Sequence, residues 1–405
     1  MSWEFRMTTI IAAFTLPFAI YLTMRINAAL RSLSTLSVKK RLTIAFLPLL
    51  WYLILPAIYL TTAVFGSFDQ IFTKSPTLGV TDFVLLFPFW VGLIIILEAS
   101  PFFIFIDLAN LFARLFKKRN HQIWDKSQAV VKIVVVSFLA FYVSFRSYID
   151  TYDVKTDQET AFFDGLPPEM YDLNLAFFAD LQIDRYTQKA KLDQFQNIIK
   201  KQNPEFVFFA GDLVTSGKKY TAQATKVMTH IQAPNRIAVL GDHDFWSDPQ
   251  RIPQELKEGG WIFLQDEHKI IEYAGKKILI TGVTHIYSKK TNPEKLRALL
   301  KTAPQADLKI LLVHQPAEFI AQEAAENDYQ LMLAGHTHGG GIVSHFFGIP
   351  ITPSQKETRY YSGLFTLEKL KIIVTNGIGN TLAPIRYHAP AEVTVIRLAG
   401  KDSTS

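Results

Sequence analysis

A helix that crosses a membrane needs about 20 consecutive, mostly apolar residues. The first part of this chain holds four runs of that kind: Met7 to Met24, Leu42 to Phe65, Phe83 to Ile106 and Ala129 to Phe145. A soluble helical bundle could bury a run as short as the last. It does not accommodate Leu42 to Phe65, which has no charged residue, together with Phe83 to Ile106, which has only Glu98. Residues 1–145 are therefore expected to form a transmembrane region of four helices, at about 7–24, 42–65, 83–106 and 129–145. Composition points the same way: 405 residues, 49% hydrophobic with 32 Phe, are too apolar and too long for one soluble domain. Pro17, Pro48, Pro56, Pro88 and Pro101 fall inside the runs. In water they would break helices; in a bilayer they are tolerated as local kinks. Lys132, near the start of the fourth run, is expected to snorkel to the interface. The first run could be a signal sequence, but it lacks a clear small-residue cleavage site and three spans follow, so an uncleaved helix is expected.

Basic residues in short loops set orientation. Arg25, Arg31, Lys39, Lys40 and Arg41 lie between the first two runs, and Arg114, Lys117, Lys118, Arg119 and Lys126 between the last two. The middle loop has only Lys74, with Asp69 and Asp82. The first and third loops are thus expected in the cytoplasm, and everything after the fourth span outside it. This describes a multi-pass protein of a bacterial-type inner membrane with its C-terminal half extracytoplasmic. The net charge of +6 resides largely in these loops, which points to anionic headgroups of a lipid bilayer and not to nucleic acid. The absence of Cys excludes thiol nucleophiles and thiolate metal sites.

The C-terminal half repeats one arrangement. Five short apolar runs each end on residues that can hold a metal: Asp180-Leu181-Gln182 after Leu175–Ala179, Gly211-Asp212 after Phe206–Ala210, Gly241-Asp242-His243-Asp244 after Ile237–Leu240, His314 after Ile310–Val313, and Gly335-His336-Thr337-His338-Gly339-Gly340 after Tyr329–Ala334. Short apolar runs alternating with helical patterns read as buried strands of an α/β fold. Residues at the carboxyl ends of such strands converge on one sheet edge. A Gly-Asp after a strand is by itself usually a turn. Five such segments in one stretch argue for a shared site, and imidazole and carboxylate are metal ligands.

As an ordered set, these segments resemble the calcineurin-like metallophosphoesterases, whose pattern is D-x-H, GD, GNH(D/E), a lone His and GHxH. The resemblance covers about Leu173 to Leu398. GHTHGG, His314-Gln315-Pro316, Gly377-Ile378-Gly379 and Pro384-Ile385-Arg386 resemble a membrane-anchored bacterial branch. The resemblance implies an N-terminal α-helical transmembrane bundle followed, over 173–400, by an α/β sandwich of two β-sheets flanked by helices. The polar stretch 146–172 would be a linker. One divalent ion would be held by Asp180, Gln182, Asp212 and His338, the other by Asp212, Asp242, His314 and His336, with Asp212 bridging. His243 would act on the phosphoryl group as acid or charge stabiliser, and Asp244 would orient its imidazole. Two such ions generate hydroxide and stabilise the attacking and leaving oxygens in phosphoryl transfer. Arg386 is a candidate contact for substrate phosphate.

Two positions depart from the pattern. Gln182 stands where the family has His, and Asp242 where it has Asn. Both move the site from nitrogen toward oxygen ligation, which favours manganese or magnesium over zinc, with iron also an option. The expected activity is metal-dependent hydrolysis of a phosphoester, and membrane tethering suggests a lipid-linked substrate. A pyrophosphohydrolase of a nucleotide-linked lipid precursor is an alternative, although such a substrate is cytoplasmic. A non-catalytic membrane scaffold is a second alternative, kept open by Gln182 and Asp242.

Overall fold

The computed structural model describes residues 3–65, 77–116, 121–346, 348–380 and 382–400. They form two compact units. Met1–Tyr148 with Ser344–Ile351 make one, and Ile149–Val343 with Thr352–Ser405 the other.

The first unit is built from α1 (Trp3–Leu33), α2 (Val38–Phe65), α3 (Phe87–Phe116) and the greater part of α4 (His121–Tyr152). A π-helical turn, Asp82–Leu86, leads into α3. Each expected run lies inside one of these helical segments, and all four are long and apolar enough to cross a membrane. Pro17, Pro48, Pro56 and Pro101 sit within the helices. The outer surface carries large apolar side chains: Phe14 is 73% exposed, Phe141 71% and Phe105 65%. A water-soluble bundle would bury such a belt. Polar groups pair with one another instead, and Lys132 among them is buried. Asp107 on α3 accepts from Tyr21 at 2.5 Å, pairs with Arg25 at 2.6 Å and also pairs with Lys132 on α4. Lys132 therefore does not snorkel as expected. Helix α4 begins at His121, so Lys132 lies well inside it, buried against a carboxylate. The loop residues Asp69, Lys74, Lys117, Lys118 and Arg119 used to infer orientation lie outside the described residues.

The second unit holds most of the strands. In chain order these are β1 (Lys155–Phe163), β2 (Asn174–Phe178), β3 (Phe206–Phe209), β4 (Asn235–Ala238), β5 (Ile262–Phe263), β6 (Glu267–Tyr273), β7 (Lys276–Val283), β8 (Leu308–Val313) and β9 (Leu331–Ala334). A short hairpin, β10 (Ser344–Phe346) with β11 (Ile349–Ile351), groups with the helical unit. β12 (Gly363–Leu367), β13 (Leu370–Val374) and β14 (Glu392–Gly400) complete the set. Helices α5 (Lys189–Gln202), α6 (Thr221–Thr229), α7 (Asp242–Ser247), α8 (Arg251–Glu258), α9 (Pro293–Lys301) and α10 (Glu318–Glu326) connect them.

The strands make two six-stranded sheets, ordered β1-β14-β2-β3-β4-β5 and β12-β13-β9-β8-β7-β6. Within each, four neighbouring strands are parallel: β2 through β5, and β13, β9, β8 and β7. The inner faces share one core of residues such as Phe177, Phe206, Phe208, Ile310, Leu312 and Leu333. The outer face of the first sheet, with Phe178 and Phe209, packs on Phe195, Met228 and Leu256 of the helices. Ile320, Ala321 and Ala324 of α10 cover Leu311 and Val313 on the second sheet. Burial on both faces explains why these strands are continuous apolar runs without alternation. Each buried Phe contributes about 1.5–3 kcal/mol by leaving water.

The stretch 146–172 is not a linker. Its first residues continue α4, and Lys155–Phe163 form β1, an edge strand paired in parallel with β14. Its polar composition comes from an edge position that leaves Lys155, Thr156, Gln158 and Glu159 partly or fully exposed, with Ala161 and Phe163 in the core.

Candidate metal centre

Every expected ligand lies just past the carboxyl end of a parallel strand. Asp180 and Gln182 follow β2, Asp212 follows β3, Asp242 follows β4, His314 follows β8, and His336 and His338 follow β9. Register keeps these ends level: Phe178 pairs with Phe209 and that with Ala238, while Val313 pairs with Ala334. To bring short side chains together from such ends, the backbone must turn sharply. Asp180 (φ 51°), Gln182 (φ 45°), Asp212 (φ 64°), His336 (φ 71°) and His338 (φ 52°) all adopt the left-handed conformation. That conformation in non-glycine residues costs of order 1–3 kcal/mol each and clusters at functional sites. Glycines let the turns touch. A Cβ on Gly241 would lie 2.1 Å from Asp212 Oδ1, and one on Gly335 2.8 Å from Asp180 Oδ2.

Two trios of potential ligand atoms result: Asp242, His314 and His336, and Asp180, Asp212 and His314. His314 Nε2 is 3.3 Å from Asp242 Oδ2 and 3.4 Å from Asp212 Oδ2. His336 Nδ1 is 3.0 Å from Asp242 Oδ2, and His338 Nε2 is 3.6 Å from Asp180 Oδ1. Gln182 Nε2 donates to Asp212 Oδ2 at 3.0 Å. The fit to cations rests on three atoms. Asp180 Oδ1, Gln182 Oε1 and His314 Nε2 are buried with no hydrogen-bond partner. Buried polar atoms are normally satisfied, and each unsatisfied one costs about 1–3 kcal/mol. All three are electron-pair donors of the kind divalent ions take.

Electrostatics agree. Burial raises the Asp180 carboxyl to about 7, with the Asp212 charge adding to the rise and nearby histidines opposing it. Burial opposes charge on His314 and His336, but Asp212 and Asp242 hold His314 well above its ordinary value, and Asp242 with Glu357 lifts His336 to about 9. Asp242 goes the other way: burial would raise it, but His314 and His336 hold it well below the usual carboxylate range. Without ions the pocket thus fills its charge deficit with protons, which cations would displace.

His243 opens α7. Its Nδ1 is hydrogen-bonded to Thr215 O, and its Nε2 is 4.0 Å from Asp212 Oδ2. Its side chain is 25% exposed, whereas that of Asp212 is 2% exposed. Asp244 does not orient the ring as expected. Its two oxygens accept from the backbone N–H groups of Asp212 (2.8 Å), Leu213 (2.8 Å) and Gly241 (3.1 Å), so it fixes the turn that carries Asp212. Burial, with the neighbouring Asp212 charge, pushes the Asp244 carboxyl up to about 6. Arg386, expected to meet substrate phosphate, is 1% exposed. Its guanidinium donates to the carbonyls of His338, Asn376, Gly379 and Ala389, and Nη2 lies 3.3 Å from His338 Nδ1.

The sequence reading missed several residues that complete the site. Gln315 Nε2 donates to Asp242 Oδ2 at 2.7 Å, and Tyr287 N to Asp242 Oδ1 at 2.5 Å. Glu357 accepts from His336 Nε2 at 3.1 Å and from the Tyr287 hydroxyl at 2.8 Å. Gln315 was visible as the neighbour of His314. Glu357 carries no local signal, because only the fold brings it to His336.

Residues 173–340 match the family model for calcineurin-like phosphoesterase. They are a calcineurin-like phosphoesterase domain. Relatives named as metallophosphoesterases agree. YkuE of Bacillus subtilis is 25% identical over 63% of this chain and 88% of its own length. Cj0846 of Campylobacter jejuni is 24% identical over 73% of this chain and 76% of its own. The Escherichia coli protein named phosphodiesterase YaeI is 24% identical over 55% of this chain and 81% of its own. The metallophosphoesterase domain therefore follows four long apolar helices in one chain.

Proposed function

We propose that the protein is a membrane-anchored hydrolase that cleaves a phosphoester with the help of divalent cations. The observation that carries this reading is the group of unpartnered donor atoms on Asp180, Gln182 and His314 among the carboxylates of Asp212 and Asp242. Asp212, Asp242, His314 and His336 would hold one ion, and Asp180, Gln182, Asp212 and His338 face the other position. Bound ions would supply Lewis-acid polarisation of a phosphoryl oxygen and acidify a water. The chain's own contribution is placement and proton transfer. Thr215 O fixes the His243 ring by accepting its Nδ1–H, so the imidazolium form would give its Nε2 proton to the leaving oxygen and remain as the neutral ring protonated on Nδ1. Gln315 and Tyr287 hold Asp242, and Asp244 holds the Asp212 turn, so the carboxylates are set before substrate arrives.

The four spans favour a substrate near the membrane, a lipid-linked phosphoester being the class that tethering suits. The basic loops favour a domain on the extracytoplasmic side of an inner membrane. Purified full-length protein, assayed on phosphomonoesters and phosphodiesters with manganese, magnesium, zinc, iron and calcium in turn, should turn over at least one of them. Folded protein that binds no metal and hydrolyses nothing would make it a scaffold. A reporter active only outside the cytoplasm should be on when fused after Asp150 and off near Ser34; the reverse pattern refutes the topology.

A further inference from the structure

The helical unit is not made of helices alone. The short hairpin β10–β11 groups with it, although the chain before and after that hairpin belongs to the phosphoesterase domain. Between His338 and Lys356 the sequence has no Asp, Glu, Lys or Arg. The surface of a soluble domain is normally about one-quarter to one-third charged residues. The hairpin register pairs Ser344 with Ile351 and Phe346 with Ile349. Directly paired residues, and those two positions along, lie on one face, so Phe346, Ile349 and Ile351 share it. All three are exposed, Ile349 by 65%, Ile351 by 54% and Phe346 by 43%. A two-stranded hairpin is at best marginally stable in water, and one that shows its apolar face to water gains nothing there from burial.

Helix α3 holds this hairpin. β10 packs on that helix, and the Glu98 carboxylate accepts hydrogen bonds from the Ser344 side chain and from the backbone N–H of His345. Glu98 is the one charged residue in the run Phe83 to Ile106. An acid inside such a run needs a polar partner, because leaving it unmatched among apolar groups is costly. The hairpin supplies that partner within the run and not beyond its end. The bond from His345 N–H also satisfies a backbone donor that lipid could not, and Pro350, opposite it, has no N–H to satisfy. Leu97 and Phe102, near Glu98 on α3, are exposed as well. The feet of the hairpin are fixed to the ligand turn. Thr352 Oγ1 donates to Gly340 O at 2.8 Å, and Ser354 Oγ to Thr337 O at 3.2 Å. A Cβ on Gly340 would lie 2.5 Å from Thr352 Oγ1, so the close approach requires that glycine.

We propose that the β10–β11 hairpin is a fifth membrane contact, its face of Phe346, Ile349 and Ile351 seated against the lipid of the bilayer that the four helices cross. This rests on the membrane-anchored reading above. The segment leaves and rejoins the turn that carries His336 and His338, so lipid contact is tied directly to the ligand turn. The substrate class this favours is a phosphoester carried by a lipid.

The chain has no Cys, so single cysteines can be labelled one at a time. Full-length protein with Ile349→Cys or Ile351→Cys, tagged with an environment-sensitive fluorophore, is placed in vesicles of phosphatidylethanolamine and phosphatidylglycerol. Phe141→Cys on α4 is the lipid reference, and Lys369→Cys, exposed between β12 and β13, the water reference. Both hairpin labels should be quenched by nitroxide-bearing lipids as strongly as the label at 141, and should lose most of the iodide quenching seen at 369. Iodide reaching 349 and 351 as freely as 369, with 141 still in lipid, overturns the inference and leaves the anchor. A label at 141 open to iodide overturns the membrane-anchored reading with it. Protection of the hairpin from both quenchers would mean that a second protein surface covers it, which also overturns the inference. A tag could itself draw the hairpin into lipid, so unlabelled wild type gives an independent reading. A diazirine-bearing lipid in the same vesicles should cross-link to the peptide Ser344–Thr352 on illumination. Adducts on the four helices with none on that peptide would refute the proposal.

Discussion

Two clusters of charged side chains in this molecule are resolved differently. In the helical unit, Asp107 is matched from within: Arg25 and Lys132 bring cations and Tyr21 a hydroxyl. In the phosphoesterase domain, Asp180, Asp212, Asp242 and Asp244 crowd together, and no Lys or Arg side chain pairs with them among the described residues. Their nearest positive partners are histidines that must be protonated to help. The first arrangement is complete without anything added. The second is complete only with cations from solution. A buried charge matched internally marks a joint, whereas one left with unpartnered donor atoms marks a site.

The comparison can be broken most severely at Asp212, whose Oδ1 accepts from His243 N and whose Oδ2 faces His314 and Gln182. Asp212→Asn should bring hydrolysis below detection and lower bound metal per chain, measured together on one preparation. If turnover persists near wild type, the carboxylates are not the centre. Next in size is His243→Ala, which should cost about 10²–10⁴-fold in kcat with the metal count unchanged. Loss of the ions instead would move His243 from proton transfer to ligation.

Removing the ions should touch one region and spare the other. Chelation should lower the unfolding transition of the domain by about 2.7 kcal/mol relative to protein held at a hundredfold excess over its dissociation constant. Helical content of the four-helix unit should not change. The sign with pH follows from the raised histidines. Below about 9, His336 is protonated in the ion-free pocket and a cation must displace that proton, so apparent affinity should fall as pH falls. An affinity independent of pH between 6 and 9, read by metal titration, would mean these rings are not displaced. The smallest effect belongs to the self-matched cluster. Asp107→Ala strands Lys132 and should cost about 2 kcal/mol, less than a fully buried pair because Asp107 keeps some solvent contact. Lys132→Met in the same chain should restore most of it, and neither change should alter the metal count.

The elements that create the site were legible because each motif directly follows a strand buried on both faces, where composition and position coincide. Phe206–Phe209 running into Gly211-Asp212 is such a case. What was not legible depends on distant closeness. Lys132 looked like a residue heading for the interface until α3 placed Asp107 beside it. Arg386 looked like a surface contact until the loops around Asn376 and Gly379 closed on it. The strand at Lys155–Phe163 was hidden because an edge position tolerates polar residues that a central strand would reject.

The left-handed turns at Asp180, Gln182, Asp212, His336 and His338 bear on the history such a chain can have. Glycine or asparagine would relax those positions, so drift toward stability alone has an easy route there, and it leads away from ligands. A domain kept only as a scaffold is free to take that route. This one holds four carboxylate or imidazole side chains and an amide at these five turns, beside glycines at 211, 241 and 335 that permit the crowding. Five left-handed turns of this domain thus fall where their side chains meet at one site, a cost for which a pure scaffold has no use.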